Sequence, residues 1–498
     1  MMKIKRNFRL LSVALCFITS FLSANAKQGY EIKVTIKGLK DTTVILGHYL
    51  GNNMYPDDTI KLNAAGSGVA KDKNALPQGV YLIYLPNTKY FDIVIGENQF
   101  FEIENDTTDI HKKVKFKNSP ENEAFYKYQY FLASKHAEMS KIQAAAKDAS
   151  KEEKDKLSKE MDNINNEVKQ YRDKLDKEFP GTFFAKFIKA TQEIEVPDFP
   201  RDSEGRVIDS LFKAKYYKAH YFDNVDISDP RMLRTPLYED RVKNYIEKII
   251  IPLPDSIQKE VDMLIAKSRT SPELFRYMLV TLFSYYGKSQ IMGYDDVAIY
   301  IADKYYINEA TWADSAQLKK LKKQVAEKKP TMLGKMSPAI DLFEVPPSHF
   351  MIAKEDTFEK HNLYIGTPFS MHARMKDYTI LYFWDVDCGH CKKETPIMYE
   401  VFQNLKSKNV EVIAVCLVYN RDHKSKWVDF VNEHNMYDWI NCFNPFTLKH
   451  KELYDVQSTP SIFVLDKQGK ILAKRLGAKQ CEDLINHEIS LSQKKNNK

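Results

Sequence analysis

The chain has 498 residues, of which 28% are charged and 12% are aromatic, and its formal net charge is +7. A chain of this length can bury a large apolar core, so it does not need the disulfide scaffold typical of small secreted domains. The charge is close to balanced, and basic and aromatic residues do not interleave as they do in nucleic-acid binders, so we expect no nucleic-acid partner.

Residues 1–26 have the three parts of a secretory signal peptide. A basic start precedes a mostly apolar run from Leu10 to Leu22, and the Ala-Asn-Ala sequence at 24–26 is typical of a cleavage site. The apolar run is shorter than the roughly 20 residues of a transmembrane helix. We predict cleavage after residue 26, which lowers the formal charge from +7 to +3 by removing four basic residues. Lipid attachment at Cys16 is the alternative, although Leu15 stands where a small residue is expected.

Residues 27–119 carry the period-two alternation of β-strands. In the segment YEIKVTIKG, Ile32, Val34 and Ile36 occupy one face and polar residues occupy the other. Four further strand-like segments follow, separated by turns rich in Asn, Gly, Pro and Asp. We predict a β-rich domain, a small antiparallel sandwich or barrel, without a catalytic cluster.

Residues 120–330 are predicted to form an all-α domain. Apolar residues at alternating spacings of four and three form a heptad seam: Leu157, Met161, Ile164, Val168, Tyr171 and Leu175. The stretch from Phe125 to Ala146 also has a helical pattern, and a turn separates it from the seam. We predict a long antiparallel hairpin that packs on itself. Use of the seam for dimerisation or for gripping a client is the alternative.

The pattern changes near Thr331, where Pro330, Gly334 and Pro338 end the helical periodicity. Strands and helices then alternate, beginning with the strand YTILYFWDV and a helix from about Cys388. Such alternation is typical of a sheet with helices on both faces. We therefore predict a multidomain chain that ends in an α/β domain over residues 331–498.

Two cysteines lie two residues apart in FWDVDCGHCKKETP, where the predicted strand meets the predicted helix. Cys388 would fall in the first helical turn, where free backbone N–H groups and the helix dipole favour a thiolate. Cys391 would lie one turn deeper and be more shielded. His390 can stabilise the thiolate when it is protonated.

The other cysteines and histidines give no sign of a metal site. A structural zinc site needs four ligands, and no second Cys or His pair follows the first. We expect Cys416 and Cys442 to be buried and inert, and Cys481 to be exposed and without a role. Three isolated histidines are interpreted as surface residues: His423, His434 and His450.

The C-terminal part of the chain resembles the thioredoxin superfamily, specifically the exported TlpA/ResA-like thiol-disulfide oxidoreductases. The resemblance covers about residues 335–490, and it rests on FWDVDCGHCKKETP, on STPSIFVLDKQGKI about 70 residues later, and on the strand spacing between them. It implies a thioredoxin-like fold and a redox-active disulfide between Cys388 and Cys391. In that family Cys388 would attack the substrate and Cys391 would resolve the mixed disulfide.

The resemblance also implies roles for residues around this pair. Pro460 would be cis, and Thr459 before it would hold an extended substrate strand through its backbone, with Trp384 also in the substrate-binding set. Glu394 matches the acid that carries protons near the buried thiol, and charge pairing in the first helical turn is its alternative role.

Two positions depart from the family pattern. Tyr382 stands where thioredoxin has a buried aspartate, so that proton route is absent or replaced. Asp387 stands before the first cysteine, where a tryptophan is usual. Its carboxylate, together with that of Asp385, opposes thiolate formation at Cys388.

We therefore expect a periplasmic enzyme that exchanges disulfides with protein substrates and uses no cofactor or metal. An upstream membrane or periplasmic redox partner would recycle it, and the direction of exchange is left open. The alternative is an envelope partner-binding or assembly protein in which the thioredoxin-like domain is secondary. A homo-oligomer formed through the helical hairpin belongs to that alternative.

Overall fold

The computed structural model describes residues 28–496. The predicted signal peptide and Cys16 lie outside the described residues. The chain divides into two compact units. The first comprises the described residues up to Lys213 together with Ala219–Asp226 and Arg231–Arg241, and the second comprises Ala214–Lys218, Ile227–Pro230 and the chain from Val242 onward.

The N-terminal part of the first unit is built from β-strands. Their bounds are β1 Tyr30–Lys37, β2 Thr43–Leu50, β3 Asn53–Lys61, β4 Ser67–Asp72, β5 Gly79–Tyr84, β6 Tyr90–Ile95, β7 Phe100–Asp106 and β8 Lys115–Lys117. These strands form two four-stranded sheets with the orders β4-β1-β7-β8 and β3-β2-β5-β6. Ile32, Val34 and Ile36 are fully buried, as the alternation predicts. The prediction of a β-rich region is confirmed, but an all-antiparallel arrangement is wrong because β1 and β7 are parallel.

A long helical hairpin follows in the first unit. Its helices are α1 Pro120–Lys147 and α2 Lys151–Glu178, and the shorter helix α3 spans Phe183–Ala190. The Ser150 side chain accepts a hydrogen bond from the backbone of Glu153, whose carboxylate accepts one from the Ser150 backbone, so a capping box starts α2. The seam of α2 packs within the hairpin, since Tyr171 stacks on Tyr128 at 5.7 Å and on Phe131 at 4.5 Å.

The remaining helices before residue 330 are mostly part of the second unit. They are α4 Phe212–His220, α5 Pro236–Asn244, α6 Pro254–Ser268, α7 Pro272–Lys288, α8 Tyr294–Ile301, α9 Ile307–Glu309 and α10 Ser315–Lys328. The middle of the chain is thus helical, as predicted, but its helices are divided between the two units. The predicted domain boundaries near 119 and 330 stay a prediction. None of the described helices is both long and apolar enough to cross a bilayer.

The C-terminal part of the second unit contains a seven-stranded mixed sheet. Its strands are β9 Asp341–Glu344, β10 Thr367–Ser370, β11 Tyr378–Trp384, β12 Val410–Cys416, β13 Ile440–Phe443, β14 Ser461–Asp466 and β15 Ile471–Lys474. Their order is β10-β9-β13-β12-β11-β14-β15, with β11, β12 and β13 parallel. The helices are α11 Pro347–Glu355, α12 Thr357–Lys360, α13 Gly389–Leu405, α14 Arg421–Glu433, α15 Lys449–Leu453 and α16 Ala478–Asn496. The predicted α/β architecture is confirmed.

The sheet topology brings distant segments to one edge. Buried apolar clusters cover both faces of the sheet, so β11 lies in the centre of the core. Trp384 at the end of β11 pairs with Cys416 at the end of β12. Phe383 pairs with Ser461, the first residue of antiparallel β14. The loop after β11 therefore meets the residues just before β14.

Candidate active site

Cys388 occupies the N-cap position of α13, directly after the loop that leaves β11. Its backbone N–H donates to the carbonyl oxygen of Asp385 at 3.2 Å. Its sulfur accepts a hydrogen bond from the backbone N–H of Cys391 at 3.3 Å. The predicted helix start at this cysteine is present, and the helix presents its unpaired N–H groups to the sulfur.

The second segment at this sheet edge contacts the same sulfur. The Sγ atom of Cys388 lies 3.1 Å from the carbonyl oxygen of Thr459, and the Thr459–Pro460 peptide bond is cis. Partial burial works to raise the pKa of the Cys388 thiol. Hydrogen bonds with the side chains of Thr459 and Cys391 and with the backbone of Cys391 and His390 outweigh this burial, and they hold the pKa below its ordinary value.

Cys391 has the opposite environment. Its side chain is completely buried, and burial raises the pKa of its thiol to about 12. The two thiols are unpaired, and only Cys388 reaches the surface. The pair thus consists of one accessible thiol that ionises readily and one shielded thiol that does not.

His390 lies on the exposed side of the first turn of α13. Its backbone N–H is one of the groups that lower the pKa of Cys388. The predicted contribution of its imidazole to thiolate stability stays a prediction.

Trp384 is the last residue of β11 and lies in the apolar core beside the sheet. Its side chain is completely buried and packs on Phe430 with ring centroids 5.3 Å apart. The side chain has no exposed surface in this structure, and its predicted part in substrate binding stays a prediction. It lies on the covered face of a central strand, where apolar packing holds the end of β11.

Glu394 contacts the last helix. Its Oε1 atom accepts a hydrogen bond from the backbone N–H of Ala478, the first residue of α16, at 2.5 Å. The carboxylate therefore stabilises the N-terminal end of that helix. Nearby, the hydroxyl of Tyr382 pairs with that of Thr395 at 2.8 Å, and burial raises the pKa of Tyr382. The predicted proton-carrying role of Glu394 stays a prediction.

The acidic residues before Cys388 are paired with side chains of α14. Lys426 Nζ lies 2.7 and 2.9 Å from the two carboxylate oxygens of Asp387, and its hydrogen bond lowers the pKa of that carboxyl group. His423 Nε2 lies 3.0 Å from Oδ1 of Asp385. The charge that was expected to oppose a thiolate is thus partly offset.

His423 was missed by sequence reasoning. It is only 5% exposed, and His450 is only 3% exposed, so their interpretation as surface residues is wrong. The signal was the helical spacing in α14, because His423 lies four residues before the apolar Trp427. This spacing places the imidazole on the covered side of the helix.

The three other cysteines of the described residues lie in the core. Cys416 and Cys442 are buried, as expected, while the prediction that Cys481 is exposed is wrong because it is completely buried. Burial raises the pKa of Cys481 to about 12. These thiols are not presented for reaction in this structure.

Comparison with known proteins gives three matching family models. The model described as thioredoxin-like matches residues 376–471. Two models described as domains of unknown function match residues 30–125 (DUF4369) and 149–330 (DUF5106).

Individual relatives match the C-terminal part. The thiol-disulfide oxidoreductase ResA of Bacillus thuringiensis is 32% identical over 108 residues, which are 21% of this chain and 57% of that protein. The thioredoxin-like protein SkfH of Bacillus subtilis is 30% identical over 100 residues, which are 20% of this chain and 69% of that protein. A solved thioredoxin-like protein from Bacteroides caccae is 17% identical, with a TM-score of 0.39, and the match covers 59% of this chain and 98% of that one. The chain thus spans little more than half the length of the ResA relative.

Three features define a dithiol protein with a thioredoxin-like domain: a mixed sheet with central parallel strands, a helix capped by the first of two cysteines, and a Thr-Pro segment beside that cysteine. The chain belongs to the thioredoxin-like family. Its relatives include proteins named thiol-disulfide oxidoreductase ResA, which confirms the resemblance drawn from its motifs. Additional N-terminal domains precede the thioredoxin-like domain.

Proposed function

We propose that this protein is a thiol-disulfide oxidoreductase that exchanges disulfides with protein substrates through Cys388 and Cys391. The observation that carries the proposal is the asymmetry of the two thiols. Cys388 is accessible and has a lowered pKa, whereas Cys391 is buried and has a raised one. This asymmetry suits one attacking and one resolving cysteine.

In the reducing direction, the Cys388 thiolate attacks one sulfur of a substrate disulfide, and the other substrate sulfur leaves as a thiolate. The Cys391 sulfur, which loses its proton at this stage, then attacks Cys388 and releases the second substrate sulfur. Two electrons pass to the substrate, and a Cys388–Cys391 disulfide remains on the protein. The same steps in reverse oxidise a substrate dithiol. The direction is therefore set by the reduction potential of the redox partner that recycles the protein.

The names of the ResA relatives support this activity, because each of these proteins is called a thiol-disulfide oxidoreductase. The signal-like sequence at residues 1–26 supports export to the periplasm. There the protein would need a membrane or periplasmic dithiol or disulfide partner to return it to its starting redox state.

Trapping in the periplasm tests this function with the full chain. A Cys391→Ala variant should accumulate as mixed disulfides with substrate proteins, because the resolving thiol is missing. The matched control, with Cys388→Ser added, should trap none. Mass spectrometry of the released partners identifies them, and equal trapping by both variants would contradict the assignment of Cys388 as the attacking residue.

Insulin reduction provides a second measurement. The full chain with dithiothreitol should accelerate precipitation of the insulin B chain, and the Cys388→Ser variant should not. A full-length protein that traps specific partners without accelerating this reaction would favour the alternative, an envelope partner-binding protein with a secondary redox site.

A further inference from the structure

His423 is a buried side chain that links α14 to the loop carrying Cys388. Its side chain is 6% exposed, and Nε2 lies 3.0 Å from Oδ1 of Asp385 and 3.5 Å from Oδ2 of Asp387. An ionised carboxylate only accepts hydrogen bonds, so Nε2 carries the hydrogen and donates it. Nothing in the expected redox chemistry assigns a role to this residue.

Two further contacts fix the imidazole in place. The backbone N–H of His423 donates to the side chain of Asn420 at 2.8 Å, which caps the first turn of α14. The ring of Tyr419 lies against the imidazole with centroids 5.1 Å apart. The donor therefore points at Asp385 from a fixed helix terminus.

Asp385 in turn contacts both halves of the cysteine motif. Its carbonyl oxygen accepts the N–H of Cys388 at 3.2 Å. Its backbone hydrogen bond with Cys391 opposes, without overcoming, the burial that raises the pKa of that thiol. Its Oδ1 atom also accepts the backbone N–H of Asp387 at 2.8 Å, which closes the turn that leads into α13. Any movement of Asp385 is therefore transmitted to the surroundings of both sulfurs.

We infer that His423 is a positioning residue for the proposed exchange reaction, acting on Cys388 through the carboxylate of Asp385. The hydrogen bond orients the Asp385–Asp387 turn. It also partly offsets the negative charge of Asp385 next to the reactive sulfur. The inference rests on the proposed function. The charged groups around it include Asp385 and Asp387 in the loop, with Lys426 on the same helix bound to Asp387. The side chain of Tyr419 also hydrogen-bonds Asp385, so His423 is one of two side-chain donors to this carboxylate.

The test measures the alkylation rate of Cys388 as a function of pH in the reduced full chain. His423→Phe keeps an aromatic ring against Tyr419 but removes the donor, and His423→Gln keeps a neutral donor. His434→Phe is the matched control, at the residue that directly follows α14, since its imidazole packs on Phe430 and makes no hydrogen bond with the rest of the described chain.

Without the donor, the Asp385 charge opposes the thiolate more strongly. The midpoint of the pH profile is the pH at which alkylation of Cys388 reaches half its maximal rate. We expect His423→Phe to raise this midpoint by about one pH unit, so that alkylation at neutral pH becomes about tenfold slower. His423→Gln and His434→Phe should stay close to the wild type. An unchanged midpoint in His423→Phe overturns the inference, and so does a shift in His423→Gln as large as in His423→Phe.

A double-mutant cycle tests whether the effect passes through Asp385. Asp385→Asn keeps an acceptor for His423 but removes the charge, so it should accelerate alkylation, and adding His423→Phe should then have little effect. An equal effect of His423→Phe in both backgrounds, or an unchanged rate in Asp385→Asn alone, overturns the inference. If His423→Phe does not fold, an unchanged alkylation rate in Asp385→Asn still overturns the inference.

These measurements are independent of substrate turnover. Failure of the insulin reaction in the wild type would contradict the proposed function while leaving the Cys388 midpoint measurable. A normal insulin reaction with an unmoved midpoint in His423→Phe would contradict only the role of His423.

Discussion

The ammonium group of Lys474 lies 2.6 Å from Oδ1 of Asp296, although the two residues are 178 positions apart in the chain. Lys474 belongs to β15 and Asp296 to α8, and their side chains are only 5% and 2% exposed. The second carboxylate oxygen of Asp296 accepts the backbone N–H of Leu333 at 2.7 Å. A buried ion pair thus ties α8 to the C-terminal sheet within the second unit.

Removal of one partner of this ion pair should be costly. Asp296→Ala leaves the Lys474 charge buried with only the more distant carboxylate of Asp295, at 3.2 Å, to offset it. We expect the free energy of unfolding to fall by about 3–5 kcal/mol, measured by urea denaturation of the full chain.

The exposed pair between Asp303 and Lys329, also 2.6 Å apart, provides the matched control. Asp303→Ala should cost at most about 1 kcal/mol, because water solvates the remaining charge. Equal losses in the two variants would show that burial of the Lys474 pair has no energetic importance.

The two active-site thiols should differ in reactivity. Because Cys388 is accessible with a lowered pKa and Cys391 is buried with a pKa of about 12, iodoacetamide should modify Cys388 at least several-fold faster. Mass spectrometry of the two labelled positions in the reduced protein measures the ratio, and each single Cys→Ala variant serves as a reference. Comparable rates, or faster labelling of Cys391, would reverse the roles proposed here.

Charges beside Cys388 should set the reduction potential. A stabilised thiolate favours the dithiol and makes the disulfide a stronger oxidant, so we expect a potential above thioredoxin's roughly −270 mV. Lys426→Gln removes the ammonium partner of Asp387 and should lower the potential, whereas Asp387→Ala removes the carboxylate partner of Lys426 and should raise it.

Equilibration with glutathione buffers measures these potentials. Both shifts should shrink at high salt, because the two side chains are about half exposed. Shifts of the same sign in the two variants would exclude a simple charge effect. A wild-type value at or below about −270 mV would indicate that the centre is built as a reductant.

His450 should make the protein sensitive to acid. Burial lowers the pKa of its imidazole from 6.5 to about 4, so the unfolded chain binds a proton more readily than the folded chain between these values. Stability is therefore complete above about pH 6.5 and falls as the pH decreases towards about 4, by up to about 3 kcal/mol for this residue.

His450→Phe removes the titrating group and keeps a ring in contact with Phe383, on which the imidazole stacks at 6.0 Å. Urea denaturation at pH 7 and pH 4.5 should show a smaller loss of stability in the variant. Some loss should remain, because burial also lowers the pKa of His349 to about 4. An identical loss in the wild type and the variant would contradict this account.

The sequence predicted features that depend on local pattern. The alternation in β1 identified its buried face, and the junction before CGHC placed Cys388 at a helix start. Alternation does not encode the direction of the neighbouring strand, so the parallel pairing of β1 with β7 was missed. The prediction that Cys481 is exposed was wrong although the sequence indicated burial. Ala478, Cys481 and Ile485 have helical spacing, share one face of α16 and are all buried.

Features that depend on packing between distant segments could not be predicted from the sequence. His423 meets Asp385 across 38 positions, and neither residue type nor spacing indicates that α14 would cover the loop after β11. The Lys474–Asp296 pair is a further case, because each residue alone has the pattern of an ordinary surface charge. Even the burial of Trp384 depends on a ring supplied by α14, Phe430.

The burial of Cys391, Cys416, Cys442 and Cys481 has a practical consequence. In the folded state, the described chain behaves towards bulky thiol reagents as a single-cysteine protein. A dye or spin label added to the reduced protein should therefore mark only position 388 among residues 28–496, without mutation of the other cysteines in this range. Because these thiols are shielded, a non-native disulfide between them could form only after unfolding. Non-native disulfides should therefore arise before the chain has folded rather than in the folded protein.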